Sequence, residues 1–355
     1  VQLNCFIHYL VLFNLNGVFE MLTIRTLIFV VVLFAMEYTA FSQSPFYRRY
    51  EGKYGKQHMV VNFSYQAGGL SGNYYIKDNP VVKEFGGKST LAGTYAYFEI
   101  LSDSAQVGTS AIETLSGVLA GPKFDGSHRI AETNQSTQFS LREGYKDATE
   151  IKLNTIRDDV RKSDYGMVLY ITINYPLIGE KVFDDAVKVY TDSFIGSGKK
   201  PMMDYLDETI ANYKKIVSDT NNTAPPRKNY RIMTDVQMND RNIVSVHLAG
   251  TIKEDEKDEI KSDFILNYNK ESNSVITTDN ILKGEWTKLV NERFKDTFND
   301  EKINYQASNT VGKQNFIVQA DGIKFLITDS KHVPIHQIKL TYNELNEFLT
   351  GSLPL

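Results

Sequence analysis

Met167-Val-Leu-Tyr-Ile-Thr-Ile-Asn-Tyr175 decides the fold class. A run this rich in β-branched and aromatic side chains, stopped by Pro176, reads as a strand. The next segments are not strands. Val182–Phe194 carries apolar residues at 183, 186, 187, 190 and 194. Met203, Leu206, Ile210, Tyr213 and Val217 repeat the pattern behind Pro201. Both are helical stripes, and Pro201 suits a helix start. The chain then crosses a turn-rich stretch, Asn221–Lys228, and returns to strand patterning at Tyr230–Met238 and Ile243–Ile252. These two predict a hairpin around Asn239-Asp-Arg-Asn242. Strand, two helices, then strands is the order of an α+β fold, not the regular alternation of a parallel α/β fold.

Upstream, residues 43–150 are rich in Gly and Tyr. Leu70-Ser-Gly72, Leu91-Ala-Gly93, Leu115-Ser-Gly117 and Phe124-Asp-Gly126 recur as a loose theme. Glycine there is read as turns and bulges, and the pairs Tyr74-Tyr75 and Tyr95-x-Tyr97 as filling a pleated surface. With strands at Val60–Tyr65, Tyr95–Ile100 and Thr137–Leu141, the region predicts an antiparallel β meander or small barrel. Downstream, Phe264–Tyr268 resumes a sheet, and Trp286, Leu289, Val290, Phe294 and Phe298 mark one helix face. Asn315–Gln319 and Ile323–Ile327 flank Asp321-Gly322 as a hairpin. Ile338–Leu340 is a last strand. Thr341-x-x-Glu344 has capping-box spacing and predicts a short helix, Asn343–Leu349. The organisation is therefore 1–42 as upstream and signal segment, 43–150 as a β region, 151–240 as an α+β partner region and 241–355 as a C-terminal α+β region, with mixed antiparallel sheet and packed helices in the last two.

Met21–Ser42 reads as a secretory signal: Arg25, then the apolar run Leu27–Met36, then small residues at Ala40 and Ser42, with cleavage expected before Gln43. A membrane span needs about 20 apolar residues, so the expected mature chain has no transmembrane segment. Cys5 is the only cysteine, which leaves the mature chain without disulfides, thiolate nucleophiles or cysteine metal sites. With 39 basic against 43 acidic residues and a net charge of −4, there is no electrostatic footprint for nucleic acid.

Catalytic signatures are missing. There is no Gly-x-Ser-x-Gly elbow and no His-Glu-x-x-His. His332 and His336 are spaced as a helical metal pair, but Pro334 between them forbids the helix. Gly196-Ser-Gly198 reads as a helix C-cap and turn. We therefore expect no catalytic residue, no metal and no cofactor. The candidate ligand-binding residues lie on two loops, because a rigid scaffold usually presents its contacts there. One is the charged run 254–261, with Glu254, Asp255, Glu256, Asp258 and Glu259. The other is 328–337, with His332 and His336.

The C-terminal half resembles the extracellular domain shared by the anti-sigma factor RsiV and the non-catalytic part of the peptidoglycan deacetylase PdaC. The resemblance rests on Phe264-Ile-Leu-Asn-Tyr-Asn269, Ile276-Thr-Thr-Asp-Asn-Ile-Leu282, the Trp286–Phe298 helix, Gln314–Leu326, Val333-Pro334 and Ile338–Leu349. Ile171-Thr-Ile-Asn-Tyr-Pro176 and its helices look like the domain that precedes it in that family. Where family members often carry a Gly-Gly-Ala-His loop, this chain has the charged 254–261 run. The resemblance implies an exported, non-enzymatic binding or sensing module in a bacterial envelope. Its partner would be a cationic protein such as lysozyme, or a cell-wall glycan. The alternatives are a glycan-acting hydrolase with a site invisible in sequence, and a structural envelope protein.

Overall fold

A computed structural model of the chain describes residues 44–92, 94–100, 112–219, 225–308, 310–311, 313–329, 333–351 and 353, with only the backbone at 86–89. The expected signal, Cys5, Gly93 and His332 lie outside the described residues. The described part is mostly antiparallel sheet with four helices. No described helix is long and apolar enough to cross a membrane.

The first nine strands are β1 (Phe46–Tyr54), β2 (Gln57–Gln66), β3 (Gly69–Ile76), β4 (Asn79–Glu84), β5 (Gly86–Ala92), β6 (Tyr95–Ile100), β7 (Glu113–Ala120), β8 (Lys123–Ile130) and β9 (Gln135–Glu143). They form one sheet in the order β4-β3-β2-β1-β9-β8-β7-β6-β5. This is a meander in which every ladder is antiparallel. Its two edge strands, β4 and β5, are separated only by Phe85, whose N–H donates to the Gly72 carbonyl at 2.8 Å. The sheet curls strongly. Phe63 on β2 meets Phe98 on β6 at 5.2 Å between ring centroids, and Tyr50 on β1 meets Phe124 on β8 at 5.7 Å. Strands that share no ladder thus share one apolar core. The described glycines of the recurring theme are not in turns, contrary to the expectation from sequence. Gly72, Gly117 and Gly126 sit inside strands, where a Cβ would collide with a neighbouring backbone carbonyl.

The second sheet is built from β10 (Lys152–Lys162), β11 (Gly166–Leu177), β12 (Lys228–Asp240), β13 (Ile243–Glu254), β14 (Ile260–Asn269) and β15 (Ser274–Val275), in chain order. Helices α1 (Lys181–Ile195) and α2 (Met202–Ser218) carry the chain from β11 to β12, the one parallel pair of this sheet among the described residues. Such a connection needs a crossover, and the helices are it. Their apolar stripes, with Phe183, Val187 and Leu206, cover Ile171, Ile173, Ile232, Val246 and Leu266 on one sheet face. The β12–β13 turn is only Arg241-Asn242, both at positive φ (+51° and +61°), as a tight hairpin of this twist requires. The sequence boundary at 240/241 falls in this turn, so 151–240 and the first part of 241–355 share one sheet.

The third layer holds α3 (Thr278–Ile281), α4 (Trp286–Phe298) and the sheet β16 (Phe316–Gln319), β17 (Gly322–Thr328), β18 (Pro334–Thr341). Trp286, Val290 and Phe294 pack on Phe316, Phe325 and Leu340. The hairpin turn is Ala320-Asp321, one residue earlier than expected. Gly322 is required for packing, because a Cβ there would lie 2.1 Å from the Leu340 carbonyl oxygen. The capping box forms: Thr341 N–H and Oγ1 both meet Glu344 Oε2 at 2.8 Å. Yet the helix expected at 343–349 is only a 3₁₀ turn, Asn346–Phe348. Phe348 O accepts from Lys283 N–H and Thr350 N–H donates to Ile281 O, so the chain is drawn into extended pairing before a helix can propagate.

Polar side chains weld the layers. Gln66 exchanges both amide bonds with the backbone of Thr234, as a strand residue would. The β12 ladder shifts register between Val236 and Met238, and Asn73 Nδ2 donates to the Val236 and Gln237 carbonyls there. Asn267 plays the same part on the other side, bonding Phe316 O and Val318 N–H. Buried backbone groups must find partners, and these amides supply them.

Candidate functional site

A groove of about 990 Å³ lies at one end of the second sheet. Three segments distant in sequence frame it. The β10–β11 turn brings Tyr165 and the start of β11 brings Met167, the approach to β12 brings Pro225, Pro226 and Arg227, and the β13–β14 turn brings Asp255, Glu256 and Lys257. Tyr165 and Met167 are large apolar side chains left 38% and 39% exposed, which gives the groove an accessible apolar wall. Arg227 holds two of the segments together: its guanidinium donates to Tyr165 O at 3.2 Å.

The charged run is the turn between β13 and β14, and its five carboxylates have different jobs. Asp255 is a turn residue at φ +46° whose carboxylate accepts the Arg227 N–H at 2.6 Å, while its own N–H donates to Arg227 O at 2.9 Å. Glu254 pairs with Lys257 at 3.2 Å, and Glu259 with Lys261 at 3.4 Å. Glu256 and Asp258 have no side-chain partner among the described residues. Arg227, Lys228, Lys253 and Lys257 also line the groove. The run is therefore not a uniform acidic patch. Its acids mostly neutralise neighbouring lysines or fix the turn, and only two face solvent as free charges.

The second predicted loop is not part of this groove. His336 lies on β18 and packs against Phe298 with the rings tilted, 4.3 Å between centroids, in the third layer. Among the described residues no hydrogen bond, ion pair or ring contact joins it to Glu254, Asp255, Glu256, Asp258 or Glu259.

Sequence reasoning missed a converging polar cluster inside the curled first sheet. Glu113 Oε2 is 3.0 Å from His128 Nε2, and the same carboxylate takes Tyr74 OH and Lys83 Nζ. Tyr54 OH is 2.7 Å from His128 Nδ1. Five residues from β1, β3, β4, β7 and β8 thus meet at one end of the core. No local spacing signals this, because the curl of the sheet brings them together. Burial pushes the Glu113 carboxyl up, but the bonds from His128, Lys83 and Tyr74 outweigh it and hold the group at about 2, against 4.5 ordinarily. A depressed acid contributes stability that is full above its unfolded value and is lost as pH falls toward the folded one. Stability is therefore expected to decline from about pH 4.5 to about pH 2 through this group. Urea unfolding across that range should show a shallower decline in Glu113→Gln than in the parent, and parallel curves would refute the assignment.

No family model matches the chain, and neither does any curated protein. Solved structures do. A DUF3298 family member from Bacteroides fragilis is similar over 59% of this chain and 96% of its own, at 15% identity and a TM-score of 0.39. A DUF3298 family protein from Pseudomonas aeruginosa PAO1 is similar over 59% of this chain and 98% of its own, at 12% identity and the same score.

Proposed function

We propose that this chain is an exported, non-enzymatic binding or sensing module of a bacterial cell envelope, of the RsiV/PdaC extracellular type, and that it meets its ligand at the groove beside the 254–261 turn. One observation carries the reading. Three segments far apart in sequence, stiffened by the sheet behind them, frame a hollow of about 990 Å³ with an exposed Tyr165 and Met167 on one side and charged groups on the other. A concave, largely preformed surface with a few placed polar groups is what ligand sites look like. The export signal read at Met21–Ser42 supports the location.

The partner is a cationic protein such as lysozyme, drawn in by Glu256 and Asp258 at the rim. Rim charges act mainly on association rate and salt dependence. The test is an equilibrium titration of residues 43–355 against a c-type lysozyme at two salt concentrations. Binding at micromolar Kd or tighter, weakening with salt, is expected. The pair Glu256→Gln with Asp258→Asn should remove most of the salt dependence, whereas Glu259→Gln, already neutralised by Lys261, should leave it. No binding at either salt overturns the lysozyme reading. The exposed Tyr165 ring favours a second reading, a cell-wall glycan lying with a sugar face on that ring. Retention on insoluble cell-wall polymer, abolished by Tyr165→Ala, would select it.

A further inference from the structure

We infer that the seam where the three sheets meet is a second binding site, built to accept a primary ammonium group. Seven side chains from six strands meet there. β4 brings Glu84, β12 brings Asp235 and Gln237, β13 brings His247, β14 brings Asp263, β16 brings Gln319 and β17 brings Lys324. Lys324 sits on Glu84, and His247 Nε2 on Asp263. Asp235 is opposite His247 in the β12–β13 ladder. Its carboxylate takes only the Gln237 amide, at 2.5 Å, among the described residues. Three carboxylates therefore meet the Lys324 ammonium and one imidazole, while a second ammonium, Lys339, acts on Glu84 from its own pair with Asp321.

The amides show what is missing. A carboxylate only accepts, so Gln237 must turn its NH₂ toward Asp235. That leaves Gln237 Oε1 to accept Gln319 Nε2 at 2.8 Å, and the same Gln319 NH₂ also donates to Glu84 at 3.1 Å. Both amide orientations are fixed by this chain. It ends at Gln319 Oε1, an acceptor without a partner on a side chain only 1% exposed. Buried acceptors are nearly always satisfied, so an orphan beside an excess of carboxylates points to an absent donor carrying positive charge. Burial and the Glu84 charge also hold the Asp235 carboxyl above the usual range, which a bound cation would reverse.

Solvent reaches the seam, since the Glu84 side chain is 44% exposed and His247 23%. A divalent metal is a poor fit, because no three His, Cys, Asp or Glu among the described residues converge as a ligand set. An ammonium group suits the seam better. It carries only N–H donors, and the Gln319 oxygen and the seam's carboxylates are all acceptors. It could arrive as a free amine or as the lysine side chain of a partner.

Thermal unfolding of the full chain in butylammonium chloride, against equal tetramethylammonium chloride, tests this. The two salts match in ionic strength, but only butylammonium donates N–H bonds. We expect butylammonium to raise Tm by about 2 °C or more over the control. Asp235→Asn should erase that increment while itself melting no lower than the parent. Glu84→Gln, a change at an exposed carboxylate, should at least halve the increment and serves as the readout if Asp235→Asn does not fold. Equal Tm in the two salts, or an increment that survives the substitutions, overturns the inference. A trilysine peptide that stabilises at lower concentration than butylammonium assigns the ammonium to a partner's lysine, and the reverse order to a free amine.

Discussion

Arg49→Ala is expected to cost about 3–5 kcal/mol of folding stability, as breaking one side of a buried ion pair does. The Arg49 side chain is 0% exposed and each of its three guanidinium nitrogens has a partner. Nε donates to Asn239 O at 3.0 Å, Nη1 to Gly144 O at 2.9 Å, and Nη2 to Asp240 Oδ1 at 3.0 Å. Glu51 lies 3.2 Å from Nη1. One side chain on the first sheet thus satisfies the end of β12, the chain leaving β9 and a buried carboxylate. Alanine would leave the Asp240 carboxylate with only the Tyr75 hydroxyl, and take the Arg49 donor from the buried Asn239 carbonyl and the half-buried Gly144 carbonyl. Arg49→Lys keeps the charge but not the planar fork, so it should fall between. Arg49→Leu with Asp240→Asn should recover much of the loss, because the uncompensated charge is then gone. Urea unfolding of the four proteins measures this. A loss below about 1 kcal/mol for Arg49→Ala would mean that the weld between the sheets is made elsewhere.

What a sequence shows depends on how local its cause is. The helices α1, α2 and α4 were legible because an apolar stripe at helical spacing is written within one element. The strand Met167–Tyr175 and the hairpin before Ile243 were legible for the same reason. The stacking of three sheets was not. Arg49, Asn62, Gln66 and Asn73 alternate with apolar residues along their strands and look like a solvent face. Arg49, Gln66 and Asn73 are buried because another sheet's backbone needs their donors, and that need is written 160 to 190 residues away; Asn62 is buried with them, bonded to Tyr47 and Asn73. The candidate site divides in the same way. The 254–261 turn was visible as a charged run, but Tyr165 and Pro225, which complete the groove, carry no local mark. Nor could the run itself show that Asp255 serves the turn while Glu256 faces solvent.

Gly126→Val is expected to destabilise the first sheet by about 3–5 kcal/mol or to prevent its folding. Gly126 pairs directly with Gly117 across the β7–β8 ladder. A Cβ on Gly126 would stand 2.0 Å from Ser116 O, 2.7 Å from Gly117 Cα and 2.8 Å from Phe139 Cζ. Two of these are backbone atoms of the adjoining strand, and the third is a ring packed edge-on against Phe124, 4.8 Å away between centroids. None can give way without moving a strand. The cost is one of packing rather than backbone conformation, since Gly126 is not at positive φ. Gly121→Ala separates the two effects. Gly121 has φ +59° with nothing within 4 Å of where its Cβ would stand, so alanine there should cost only about 1 kcal/mol of backbone strain. Gly126→Ala should already exceed it, and valine should exceed alanine. If Gly126→Ala unfolds within about 0.5 kcal/mol of the parent, the paired glycines do not set the close approach of β7 and β8. The curl that carries Tyr50 onto Phe124, and Glu113 onto His128, would then need another cause.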